Sequence, residues 1–287
     1  MIEKMRYFYD RIFIWRYHIL RRFIVERIYS IYIIFNYKVE SLKSKNLIYM
    51  VGMPRTGSSF LKNYFGHFQG IEVMKFQPKG FHRTYTYALS KHDRIMLDKS
   101  THYIRILNFM CKILGQRAAY VCIVRDPRDQ LVSLWDFERH HELPRNEKFW
   151  LKWHDQYANM LKCMTKFSKI DFFLCRYEDV VNDPVSAKFE FIKWTGSNCS
   201  INDIDDALTI KHRDDIQDDK LLRTQGASPN SVGKYRSVQG IEMLSVLNYY
   251  RTNDKIMRLM KVFGYAENGL DNCMHLEHRK NVSVFER

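Results

Sequence analysis

From residue 47 onward, short apolar runs alternate with longer stretches of helical periodicity. The runs fall at Leu47–Val51, Gly70–Met74, Arg94–Asp98, Ala118–Val124 and Asp171–Arg176. Several lack polar–apolar alternation, which is the pattern of strands buried on both faces of a parallel sheet. Between and after them, Phe60–Phe68, Thr101–Leu114, Asp129–Arg139, Asn146–Phe167 and Pro184–Trp194 carry apolar positions at helical spacing. This order predicts an α/β fold, a doubly wound and mainly parallel sheet of the P-loop type. The longest stretch without a pattern runs from Asp214 to Ser237, a length typical of functional lids or disordered segments.

Residues 1–46 differ from the rest, with ten Lys/Arg against four Asp/Glu, eleven aromatics and no glycine or proline. Phe13, Tyr17, Leu20, Ile24, Ile28, Ile31 and Phe35 recur every three or four positions, which predicts an amphipathic helix. Two readings stay open: a helix packed on the main domain or on a second subunit as a homodimer contact, or one lying in a membrane interface through residues 1–40. The expected organisation is this extension, a catalytic domain over 47–270 and a tail over 271–287.

The whole chain has 287 residues, enough for one large domain with an appendage, and 46% hydrophobic residues argue for a folded core. A net charge of +14 favours anionic partners. Six cysteines show neither a CxxC pair nor zinc-ligand spacing; Cys122 and Cys175 sit in apolar runs, as buried reduced thiols do. No uncharged run reaches the roughly 20 residues needed to span a bilayer. Arg11, Arg16, Arg21 and Arg22 interrupt any secretory core. The expectation is a cytoplasmic protein, membrane-associated if the first helix binds lipid, with no nucleic acid as partner.

Two stretches carry chemistry. In "YMVGMPRTGSSFLKNYF" (49–65) an apolar strand meets Gly52, Pro54, Arg55 and Gly57, then Ser58 and Ser59 open a helix. Such a turn presents free backbone N–H groups and the positive helix end to an anion. A nucleotide-binding P-loop carries lysine directly after its second glycine; here that place is Ser58 and the cation is Arg55, inside the loop. Arginine's fixed fork suits it to clamp a leaving phosphate or sulfate without a metal. In "YVCIVRDPRDQLVSLW" (120–135) a strand ends in Arg125 and a helix follows, so Arg125 and Ser133 converge only if that helix folds back beside the strand end.

Together these stretches resemble the two cofactor signatures of sulfotransferases that use 3′-phosphoadenosine 5′-phosphosulfate (PAPS). "PRTGSSF" is similar to the family's 5′-phosphosulfate loop, and "RDPRDQLVS" to the segment whose arginine and serine bind the 3′-phosphate. "CRYEDVVNDP" (175–184) and "SVGKYRS" (231–237) resemble two later family elements. The resemblance implies that Arg55, Thr56, Gly57, Ser58 and Ser59 hold the 5′ side, and that Arg125 and Ser133 hold the 3′-phosphate. Phe60 falls where one branch stacks a tryptophan on adenine, and Tyr177 lies in an element that reaches the purine. Lys234 and Arg236 become phosphate ligands, with Tyr235 in place of the family's tryptophan.

Sulfuryl transfer needs a base for the acceptor hydroxyl and a cation on the departing oxygen. His102 in "DKSTHYI" lies near the family's catalytic histidine, with Lys99 orienting sulfate or acceptor. The same stretch resembles the glycan sulfotransferases, whose base lies farther upstream; on that alignment Glu72 or His82 takes the role. "ERHHELP" (138–144) is not expected to hold a metal, because neighbouring helical side chains face different ways, and "HRDDIQDD" (212–219) is a solvated acidic run. The function expected is transfer from PAPS to a hydroxyl of a glycan, lipid or other small molecule, releasing 3′,5′-ADP without a metal. A P-loop small-molecule kinase and a non-catalytic basic module for membrane or nucleic acid are the alternatives.

Overall fold

A computed structural model describes residues 46–66, 68, 70–74, 84, 94–137, 147–196, 232–239, 241–266 and 269–270. The extension expected to form an amphipathic helix, His82, the histidine-rich and acidic runs, most of the patternless segment and the tail lie outside the described residues.

Five strands form one parallel sheet: β1 (Leu47–Val51), β2 (Ile71–Val73), β3 (Ile95–Lys99), β4 (Ala119–Val124) and β5 (Phe172–Arg176). Their spatial order is β2-β3-β1-β4-β5. The sheet is parallel throughout; the described antiparallel pairing is a short separate hairpin of Tyr265–Ala266 with Gly269–Leu270. Each strand falls within a residue or two of its predicted place. Gly70 is excluded from β2 because its φ of +83° is not an extended conformation.

The helices are α1 (Ser58–Gly66), α2 (Tyr103–Leu114), α3 (Pro127–Phe137), α4 (Glu147–Lys166), α5 (Tyr177–Asn182), α6 (Pro184–Thr195), α7 (Ile241–Asn248) and α8 (Asp254–Val262). Pro127 and Pro184 sit in first turns, where the missing N–H costs nothing. Asp183 accepts the Ser186 N–H at 3.0 Å to start α6, and Gly196 ends it at φ +68°. The sequence pattern did not single out α5, α7 or α8. Two of these are short, and α8 shows its apolar face only through Ile256, Leu259 and Met260 packed on the core.

Alternation within β1 divides its side chains between two cores. Leu47, Tyr49 and Val51 pack with α2, α4 and α8; Ile48 and Met50 pack with α1 and α6. Helices on both faces make the sheet doubly wound, so every residue of β1 and β4 is buried. Cys122 and Cys175 are buried free thiols, as are Cys111 and Cys163. Among the described residues no helix is long and apolar enough to cross a membrane. The turns after β1, β3, β4 and β5 all emerge at the carboxyl edge of the sheet, the edge where open α/β folds bind ligands.

Candidate active site

The turn after β1 is built to be tight. Thr56 is fully buried, and its hydroxyl donates to the Met53 carbonyl at 2.9 Å. The Gly57 carbonyl receives the Leu61 N–H at 2.9 Å, the first helical bond of α1. Arg55 adopts φ +67°, the one described non-glycine residue in left-handed space, and Gly57 follows at +80°. A Cβ on Gly57 would stand 2.3 Å from Cδ2 of Tyr177. The glycine is therefore required twice, by its backbone and by the ring covering it.

Three hydrogen bonds join this turn to the β4–α3 segment. Gln130 Nε2 donates to the Pro54 carbonyl at 2.7 Å, Arg125 Nη1 to the Arg55 carbonyl at 3.1 Å, and Arg55 Nε to Ser133 Oγ at 3.2 Å. Arg125 and Ser133, eight positions apart, thus meet the same residue, one at the Arg55 carbonyl and the other at its guanidinium. From β3, Lys99 Nζ donates to Ser59 Oγ at 3.1 Å. Arg55, Lys99 and Arg125 are thus gathered around one short loop.

The acidic residues nearby are engaged elsewhere. Asp126 is paired with Arg128, Nε to Oδ1 at 2.9 Å and Nη2 to Oδ2 at 2.7 Å, both side chains being buried. Its N–H donates to Glu178 Oε1 at 2.8 Å, and Glu178 Oε2 receives the Tyr265 hydroxyl at 3.0 Å. Burial pushes the Glu178 carboxyl up to about 7, with the charge of Asp126 adding to the effect. Burial also raises Asp129, whose two oxygens accept the Gly233 and Tyr235 N–H groups at 2.6 and 3.0 Å. On the cationic side, burial lowers Lys99, and the charge of Lys62 lowers it further. The region keeps an excess of positive charge, ready for an anion.

The other expected residues separate into groups. Tyr177 is buried, with the Arg125 guanidinium 4.6 Å above its ring, so it supports the cation from beneath. Phe60 is half-buried and meets Tyr177 edge-on at 6.1 Å. Lys234, Tyr235 and Arg236 form a short 3-10 turn, and the Arg128 guanidinium lies 4.2 Å from the Tyr235 ring. His102 is exposed immediately before α2, three residues past Lys99.

Glu72 is not brought to this edge. It pairs in register with Met96, which pairs with Leu47 at the start of β1, about 13 Å short of that strand's end at ~3.3 Å per residue. Its carboxylate contacts Arg94, before the start of β3, at 3.6 Å. Among the described residues, no group of three or more His, Cys, Asp or Glu side chains is arranged to hold a metal. Gln130, Asp129 and Glu178 were missed as site residues although the quoted motifs contain all three. Their partners lie 52 to 106 positions away, and only the fold shows them.

Residues 69–196 match the family model described as the sulfotransferase family. The sulfotransferase domain of an olefin synthase from Synechococcus PCC 7002 has a similar structure, with TM-score 0.53, 18% identity, and coverage of 73% of this chain and 96% of that one. Mouse sulfotransferase SULT7A1, complexed with PAP, is similar at TM-score 0.53 and 16% identity, covering 77% of this chain and 92% of its own. No curated protein matches the chain. At these identities the structures speak for the fold alone, and the family match speaks for the segment 69–196. Residues 69–196 thus resemble the sulfotransferase family, on a fold shared with sulfotransferases.

Proposed function

We propose that this enzyme moves the sulfuryl group of PAPS to an acceptor hydroxyl, and that the loop after β1 and the β4–α3 segment hold the donor together. The observation carrying this reading is Arg55: its carbonyl receives Arg125 and its guanidinium reaches Ser133, so two anion-binding stretches form one cradle. Arg55 with Thr56–Ser59 binds the 5′-phosphosulfate, and Arg125 with Ser133 binds the 3′-phosphate. Phe60, half-buried at the rim, is the surface for the adenine ring.

The acceptor oxygen attacks sulfur as the bond from sulfur to the 5′-phosphate oxygen breaks, leaving 3′,5′-ADP. Arg55 and Lys99 stabilise the charge growing on that oxygen. The acceptor's proton passes to a base, a role supported best for His102. It lies on the segment leaving β3 beside Lys99, whereas Glu72 sits low in the sheet and is engaged by Arg94.

Calorimetry with 3′,5′-ADP and with magnesium–ATP tests the donor assignment. Tight binding of 3′,5′-ADP and weak binding of ATP is the expected result; the reverse would make this a kinase. Arg55→Ala should lower turnover with PAPS by about 100-fold or more, the order seen when one donor to a developing anion is lost.

A further inference from the structure

Asp129 is a buried carboxylate placed beside a cluster of cations meant for an anion, a position that opposes anion binding unless the charge is otherwise used. Here it is used. Its oxygens take the backbone N–H groups of Gly233 and Tyr235, more than a hundred residues along the chain. Gly233 has φ +76°, so the chain turns sharply at the first of these bonds and enters the 3-10 turn of Lys234–Ser237. The neighbouring Arg128 guanidinium packs on the Tyr235 ring at 4.2 Å and is itself fixed by Asp126. Asp129 lies four residues before Ser133 in α3, so the two share a helix face. The segment seated on Asp129 is thereby docked on the first turn of α3, the helix that carries Ser133.

We propose that Asp129 is a positioning residue that seats segment 232–237 so that Lys234 and Arg236 join Arg125 and Ser133 around the 3′-phosphate of the donor. This rests on the PAPS reading of the site. Asp129 touches no substrate; it acts through the backbone of the segment it holds. Charge-assisted bonds of this kind are stronger than neutral ones, and an amide in place of the carboxylate gives up one of the two and leaves the other neutral.

Asp129→Asn distinguishes positioning from simple electrostatics, because the two predict opposite signs. Removing a negative charge near an anion site by itself tightens anion binding. Losing the anchor weakens it, since the amide nitrogen cannot accept an N–H bond. The measurement is the ratio of affinities for 3′,5′-ADP and adenosine 5′-monophosphate, by calorimetry on the full chain, which isolates the 3′-phosphate. The wild type should prefer 3′,5′-ADP, and Asp129→Asn should lower the ratio roughly tenfold with little change for the monophosphate.

Lys234→Ala with Arg236→Ala should lower the ratio similarly, and adding Asp129→Asn to that pair should lower it no further. If Asp129→Asn does not fold, the lysine–arginine pair decides alone: an unchanged ratio overturns the proposal. An unchanged or raised ratio in folded Asp129→Asn overturns it equally. A wild type without preference for 3′,5′-ADP overturns the donor assignment itself and this inference with it.

Discussion

Gly57→Ala isolates what the donor loop requires of its backbone and its cover. The new methyl group would lie 2.3 and 2.4 Å from two carbons of the Tyr177 ring, far inside contact distance, at a φ of +80°. Left-handed backbone costs a non-glycine residue about 1–2 kcal/mol. Overpacking against a buried ring costs about 1–3 kcal/mol more. Relief requires Tyr177 to shift, and Tyr177 lies beneath Arg125 at 4.6 Å while α5 begins at that residue. The expected loss is about 2–5 kcal/mol, which lowers Tm by roughly 5–15 °C in a domain of this size.

Gly70→Ala is the control, because Gly70 has φ +83° and nothing within 4 Å of an added Cβ. It carries the backbone cost alone and should lower Tm by only a few degrees. Thermal unfolding of both variants, with and without 3′,5′-ADP, completes the comparison. Gly57→Ala should also lose most of the stabilisation by ligand, since a moved Tyr177 takes Arg125 with it. Equal melting temperatures for the two variants, with full ligand stabilisation of Gly57→Ala, would refute the packing argument.

Glu178→Gln should flatten the pH dependence of stability. The folded carboxyl titrates at about 7 and the ordinary value is 4.5, so the folded state holds the proton more tightly. Stability from this group is complete below about 4.5 and is lost as pH rises to about 7, by about 3 kcal/mol at ~1.4 kcal/mol per pH unit. Urea unfolding near pH 5 and near pH 7.5 should show wild type losing ground to the glutamine variant, which keeps an acceptor for the Asp126 N–H; parallel losses would remove Glu178 as the cause. His102→Ala should reduce turnover with PAPS about 100-fold or more if His102 is the base, and Glu72→Ala should leave it nearly intact. A near-normal rate in His102→Ala returns the role to another group.

The period of the apolar positions determined much by itself. All five parallel strands, five of the described helices, and the two loops proposed to hold the donor are local patterns of side-chain type. Local backbone preference and burial translate such patterns directly into elements. Even the exchange of lysine for Arg55 was legible, since it is a statement about one position in one loop.

What the tertiary structure alone decided is which distant groups meet. Nothing in a strand's composition says that β2 occupies the sheet edge while β1 sits between β3 and β4. That order sets Glu72 low and beside Arg94, and carries Lys99 to Ser59. Asp129 in its motif is an acid in the first turn of a helix; only the fold gives it the backbone of Gly233 and Tyr235 to hold. The reason is physical: apolar burial depends on how much of a side chain is covered, which periodicity encodes. A buried polar group depends on a specific partner within hydrogen-bond reach, and the packing of remote segments alone supplies it.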